Sequence, residues 1–433
     1  MDWLVISVLF GSFFVFLGIG VPISFAIGVS SLLTIMLSLP FDAAITVISQ
    51  KMATGLDSFA LLAIPFFILA GNIMNQGGIA MRLIEFAKIL GGRLPGSLAH
   101  VNVIANMMFG AISGSAVASA AAVGGTMSPL QKKEGYDPSF SAAVNISSCP
   151  TGLLIPPSNT FIVYSLISGG TSIAALFLAG YIPGLMMGLG LMLVAGFIAK
   201  KRGYPIAPRA SKAEVIRKTL EALPSLGLII VIMGGIIAGI FTATEASAIA
   251  VVYTLMLAMV FYREVSIKQL PSIILESVLT TSIVMLLIGA SMGMSWAMAN
   301  ADIPYMISDA LMAVSDNPII IILMINIILL VVGVFMDMTP ALLIFTPIFL
   351  PIALDLGMDP VHFGIMMTFN LCIGICTPPV GSALFIGCSV AKVRINKVIR
   401  PLLPFYAVLI LALMLVTFIP QLSLILPQTL LGY

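Results

Sequence analysis

Long apolar runs separated by short polar punctuation set the plan of this 433-residue chain. Runs at about 2–20, 21–39, 58–76, 138–168, 171–199, 222–241, 243–262, 270–300, 359–390 and 401–427 come near or exceed the roughly 20 residues that a helix needs to cross a bilayer core. Two further apolar segments, 96–131 and 317–352, each carry a polar tip near the middle. They predict re-entrant hairpins that return to the side they came from. The pattern is that of an all-α polytopic membrane protein.

The punctuation repeats. Pro129, Gly135, Asp137, Pro138, Gly152, Pro156 and Pro157 recur 222 residues later as Pro351, Gly357, Asp359, Pro360, Gly374, Pro378 and Pro379. Every match is Gly, Pro or Asp, residue types that shape backbone rather than fill a core. Paired interruptions at corresponding points of two halves predict discontinuous helices of the kind found in secondary transporters. The expected organisation is a first repeat over 1–200, a linker over 201–221 and a second repeat over 222–433. Each repeat would hold one hairpin and one broken helix, at 96–131 and 138–168, then at 317–352 and 359–390.

Composition agrees with the pattern: 60% of residues are apolar, 8% are charged, and the mean hydropathy is +1.18. Such a chain has the lipid bilayer as its solvent, and no basic run suggests nucleic acid. With the N-terminus outside, 18 of the 19 Lys and Arg residues fall on the cytoplasmic side and Lys51 alone lies outside. That is the positive-inside bias. Five crossings per half then invert the second half relative to the first. Residues 78–92, bearing Arg82, Glu85 and Lys88, predict an amphipathic helix on the inner face, and 302–316, bearing Asp302, Asp309 and Asp316, its acidic outer counterpart. Glu245 is placed to cap a helix start, and Glu276 reads as interfacial.

Non-helical backbone at membrane depth is tolerated only where it is buried in protein or lines a cavity. The breaks around Ser147-Ser148-Cys149-Pro150-Thr151-Gly152 and Asn370 to Gly374, with the Pro pairs after them, are therefore candidate sites. Proline frees carbonyls from the helix ladder, and these join hydroxyls as hard oxygen ligands suited to Na⁺. The candidate ion ligands are Asp337, Thr339, Ser147, Ser148, Thr151, Gly152, Gly374 and Thr377. Each helix that restarts after a break points amides at the cavity, which suits a carboxylate. Candidate substrate contacts are Ser113, Ser115, Ser158, Asn159, Thr160, Val380 and Ser382. Asp337 has no Lys or Arg within 50 residues in sequence, so a bound cation is its simplest partner.

The motifs GAISGSAVASAAAVGG (110–125), KKEGYDPSFSAAV (132–144), PPSNTFIVYSLISGG (156–170), GIFTATEASAIAVVYTL (239–255) and GVFMDMTPALLIFTP (333–347) resemble the large membrane subunit of the tripartite ATP-independent periplasmic (TRAP) transporters. The resemblance covers essentially the whole chain. It implies an importer of organic acids driven by Na⁺, with two or more ions per cycle and no organic cofactor, in the bacterial inner membrane. It implies two partners, a small four-helix membrane subunit and a periplasmic substrate-binding protein. It also implies an elevator mechanism, in which hairpins and broken helices move against a scaffold. Ser119 stands where many members carry Asp.

Other classes fit less well. A channel or an H⁺-coupled symporter would share the broken helices. An ATP-driven pump lacks its GxxxxGK[ST] motif, and a rhomboid-type protease its GxSG, since Ala111 replaces the first Gly; HExxH is absent too. The reading is thus a transporter and not an enzyme. Sialic acid and C4-dicarboxylates are both open as substrates.

Overall fold

The computed structural model describes residues 2–206 and 211–433, so 207–210 of the expected linker lie outside the described residues. The chain opens with α1 (Asp2–Gly18), α2 (Ile23–Ile35) and α3 (Phe41–Leu56). A short 3-10 turn leads into α4 (Ala63–Gln76), and α5 (Ile79–Gly91) follows. The first hairpin is α6 (Ser97–Ser113) with α7 (Ala116–Lys133). The first broken helix comprises α8 (Pro138–Ser148), the single turn α9 (Thr151–Leu154) and α10 (Asn159–Ile167), and α11 (Ile173–Arg202) follows it. The second half runs α12 (Lys212–Ile237), α13 (Ala243–Leu255) with a π turn to Phe261, α14 (Leu270–Asn300) and α15 (Ile303–Met312). Its hairpin is α16 (Pro318–Phe335) with α17 (Met338–Asp355), and its broken helix is α18 (Pro360–Gly374) with α19 (Ser382–Ala391). The chain closes with α20 (Ile395–Phe418) and α21 (Gln421–Leu431).

No strand occurs among the described residues, and eight helices are long and apolar enough to cross a membrane. Three boundaries differ from expectation. The run 21–39 yields only the 13 residues of α2, because Gly20 is left-handed and Pro22 sets the start. The span expected at 401–427 is two helices, parted where Pro420 cannot continue the ladder of α20. Residues 41–56, which read as an outer loop, form α3.

The recurring punctuation residues take matching local roles. Gly135 and Gly357 have φ of 81° and 80°, a left-handed conformation that ends one helix and turns the chain to the next. Asp137 and Asp359 then cap α8 and α18, accepting from the amides of Ser139 at 2.9 Å and Val361 at 2.8 Å, with Pro at the first helical position of each. Pro156–Pro157 and Pro378–Pro379 are both cis. Thr242 and Glu245 form a reciprocal capping box at the start of α13, the role expected of Glu245.

Gly152 and Gly374 explain themselves by what they touch. A Cβ built on Gly152 would stand 2.2 Å from the carbonyl carbon of Gly110, and one on Gly374 would stand 2.5 Å from Cα of Gly333. Each hairpin's first arm therefore meets its broken helix backbone to backbone. Buried asparagines fasten the same joints. Asn106 Nδ2 donates to Asn145 Oδ1 at 3.1 Å and to Ser148 Oγ at 2.7 Å, while its Oδ1 accepts from Ser119 Oγ at 2.7 Å. In the second half, Asn370 Nδ2 donates to both oxygens of Asn326 at 2.9 Å.

The amphipathic helix α5 is held from outside this core. Glu85 is shared between Lys88 and Lys218, so α5 is tied to α12. Burial opposes ionisation of Glu85, but the two lysines outweigh it and hold its carboxyl below the ordinary range. Arg82 stacks over the Tyr262 ring at 3.8 Å.

The glycine contacts can be tested by stability. Gly152→Ala and Gly374→Ala press a methyl against backbone and are expected to cost roughly 1–3 kcal/mol each or more. Gly125→Ala, which meets open space inside α7, is expected to be neutral or stabilising. Thermal melts of the purified protein in detergent measure both, and a wild-type melting temperature for Gly152→Ala would refute the contact.

Candidate functional site

Both hairpin tips and both restarted helices converge on one cavity of about 510 Å³. Gly114, at φ 62°, ends α6 and lets the chain turn, after which Ser115 caps α7 by accepting from the Ala118 amide at 3.2 Å. Asp337 holds the equivalent cap position of α17 but makes no cap hydrogen bond. Its Oδ1 instead accepts from Ser382 Oγ at 3.0 Å, across the cavity's edge at the start of α19. Thr160, in the first turn of α10, reaches Met338 Sδ at 3.4 Å. The tip of one half thus touches the restarted helix of the other. Neither α10 nor α19 has a side-chain cap, so first-turn amides remain for a ligand.

Seven of the expected site residues line this cavity: Ser113, Ser115, Asn159, Thr160, Asp337, Thr339 and Ser382. Asp337 is exposed to it, and so is neither buried nor alone as its apolar flanks suggested. Ser158 is fully buried behind the cavity, and its Oγ and the Asn159 Oδ1 have no hydrogen-bond partner. Two unpartnered buried oxygens on consecutive residues fit the donor chemistry of a hard cation.

The remaining assignments are corrected in position. Ser147 and Ser148 lie inside α8 rather than in a break, and their hydroxyls bond back to the Ala143 and Val144 carbonyls. Thr151 bonds to the Ser148 carbonyl, and Thr377 to that of Ile373. Asn370 to Gly374 are helical within α18. The first helix is interrupted at Cys149-Pro150, inside the expected break, and the longer unwound stretches lie at the Pro pairs, at 155–158 and 375–381. Gly152 and Gly374 are packing contacts at Cα, and neither lines the cavity. Val380 is exposed and away from the cavity wall.

Four polar residues on the facing wall escaped the sequence reading. Asn72 and Asn75 come from α4, and Glu276 and Thr280 from α14. Glu276 is therefore not a mere interfacial charge. Asn72 Nδ2 donates to Ser277 Oγ at 2.8 Å and Gln76 Nε2 to Glu276 Oε2 at 3.4 Å, so the two helices are joined where they face the tips. Gly71 lets α4 lie directly on the first tip, since a Cβ there would stand 3.2 Å from the Ser113 carbonyl oxygen. The available signal was spacing: Asn72 with Asn75, and Glu276 with Thr280, share helix faces in otherwise apolar runs.

The profile of the family described as "Tripartite ATP-independent periplasmic transporter, DctM component" matches residues 10–422. The chain belongs to this family. It is a multi-pass membrane protein of a transporter family whose members are not enzymes. It is 63% identical to an uncharacterised protein, YgiK, of Salmonella typhimurium, over 98% of this chain and 97% of that one. It is 40% identical to the sialic acid TRAP transporter large permease SiaM of Vibrio cholerae, over 98% and 99%. It is 39% identical to the C4-dicarboxylate large permease DctM of Pseudomonas aeruginosa, over 93% and 94%. The solved structure of the Alcanivorax borkumensis YdaH transporter aligns with a TM-score of 0.63 over 85% of this chain and 86% of that one. At 12% identity that likeness speaks for the fold alone.

Cysteine scanning checks the cavity wall. All four natural cysteines are buried. Single Thr339→Cys and Thr280→Cys variants are expected to take up a small water-soluble maleimide, and Ser148→Cys is expected not to, by intact mass. Labelling of Ser148→Cys at the rate of Thr339→Cys would show that the cavity extends elsewhere.

Proposed function

We propose that this permease carries an organic acid across the inner membrane by Na⁺-coupled secondary transport, with substrate delivered by a periplasmic binding protein and a small membrane subunit as companion. The observation that carries the reading is the cavity itself. Its wall holds uncapped helix starts for a carboxylate and oxygen side chains for cations and hydroxyls, but, among the described residues, no Lys, Arg or His. A dicarboxylate would bring two charges to a wall that already has Asp337 and Glu276. A polyhydroxylated monocarboxylate brings one, and its hydroxyls suit Asn72, Asn75, Ser113 and Thr280. Sialic acid is a member of that class.

Na⁺ is the coupling ion of this proposal because the polar side chains lining the cavity are hydroxyls, carboxamides and carboxylates, all hard oxygen donors. The division of the wall, with hairpins and broken helices on one side and α4 and α14 on the other, supports an elevator motion. The two halves are read as inverted repeats with the N-terminus periplasmic, on the strength of the distribution of Lys and Arg.

Asp337→Asn in proteoliposomes is expected to abolish uptake driven by an imposed Na⁺ gradient while the protein still inserts. Wild-type Na⁺ dependence in that variant would overturn the ion assignment, and uptake driven by a pH gradient alone would favour H⁺ coupling. For orientation, Ile45→Cys is expected to react with a membrane-impermeant thiol reagent on intact cells and Lys212→Cys to be shielded. The opposite pattern would invert the topology.

A further inference from the structure

A second cavity, of about 810 Å³, shares no lining residue with the first and opens between the end of α11, the start of α20 and the start of α8. Four bases line it: Lys201, Arg202, Lys397 and Arg400. One acid, Asp137, lines it too, but that carboxylate is committed: it caps α8 and pairs with Arg202 at 3.0 Å. Lys201, Lys397 and Arg400 are exposed and, among the described residues, have no carboxylate partner. The 24-residue α20 begins at this cavity with no side-chain cap, which adds the positive end of a helix to three unneutralised cations.

Below the bases the wall changes character. Leu189, Leu193 and Phe197 stand on one face of α11 at four-residue spacing and are 58%, 75% and 73% exposed. Lys201 is the next member of that series. The stripe thus runs along a helix long and apolar enough to cross a membrane and ends in the cationic cavity, the order of an acyl chain below its headgroup.

We propose that this cavity is a binding site for an anionic phospholipid, its phosphate held by Lys201, Lys397, Arg400 and the start of α20, and its acyl chain laid along Leu189, Leu193 and Phe197. Soluble phosphate or an acidic peptide would satisfy the bases but leave the stripe unused, and a zwitterionic lipid would bring its own cation among three others. Basic pockets between helices at the membrane boundary have the chemistry to select anionic headgroups. The site joins the first half of a broken helix to α11 and α20, so occupancy would brace α8 from outside. Nothing in this inference depends on which solute the permease moves.

Native mass spectrometry of the delipidated protein, titrated with phosphatidylglycerol or with phosphatidylcholine of the same chains, tests it. The wild type is expected to retain phosphatidylglycerol preferentially and to melt at a higher temperature with it. Lys201→Gln/Lys397→Gln/Arg400→Gln is expected to bind it roughly a hundredfold more weakly, as three phosphate-facing charges are lost. A control with equal charge loss elsewhere, Arg217→Gln/Arg263→Gln/Lys268→Gln, is expected to bind as the wild type does. The proposal is overturned by equal retention of the two lipids, by unchanged binding in the first triple variant, or by an equal thermal shift from inorganic phosphate alone. The comparison of lipids on the wild type decides the question even if the triple variant fails to fold.

Discussion

Everything at the candidate site depends on two places where backbone lies on backbone. Gly110 against Gly152, and Gly333 against Gly374, bring each hairpin's first arm closer to its broken helix than side chains would permit. In lipid, such contact gains dispersion energy and permits short polar links, because there is no water to exclude. The asparagines then add direction. Asn106 and Asn370 each donate to the opposite element, Asn106 bonding Asn102 of its own helix as well, so sliding a hairpin along its helix would break buried hydrogen bonds. Hairpin and broken helix are thereby one body, and their polar ends arrive at the cavity together.

The facing wall is built differently. α4 meets the first tip at Gly71, while its Asn72 bonds to Ser277 of α14 rather than to a tip. Among the described residues no side-chain hydrogen bond joins α4 or α14 to a tip, and the cavity lies between them, so this boundary is looser than the fused joints on the other side. The seam between the two broken helices is again tight. Tyr164 donates to the Pro360 carbonyl at 2.6 Å, and its ring lies on Gly364. Tight and loose boundaries thus divide the molecule along the same line that divides the cavity.

Much of this was legible in the chain because Gly, Pro and Asp at helix boundaries act locally. Gly135, Asp137 and Pro138 need only their neighbours to end one helix and begin the next, and so do their later counterparts. The tips were legible for the same reason. What failed was register within helices. Ser147, Ser148 and Thr151 sit beside a proline, yet a hydroxyl can satisfy itself on its own preceding turn, and sequence gives no sign of that choice. Glu276 misled because α14, at 31 residues and about 46 Å, is longer than a bilayer requires. Its nearness to Lys268 in sequence made Glu276 read as interfacial, whereas its contact with Gln76 of α4 sets it on the cavity wall.

The burial of every cysteine has a consequence for the life of the protein. Cys376 donates its thiol hydrogen to the Ile146 carbonyl at 3.0 Å, across the seam of the broken helices, and Cys149 and Cys372 are fully buried in the same pair of helices. Sulfenic acid formation and glutathionylation need a thiolate that peroxide or glutathione can reach. The four thiols of this permease are therefore closed to both reagents, and oxidation would fall instead on exposed methionines such as Met81 and Met312.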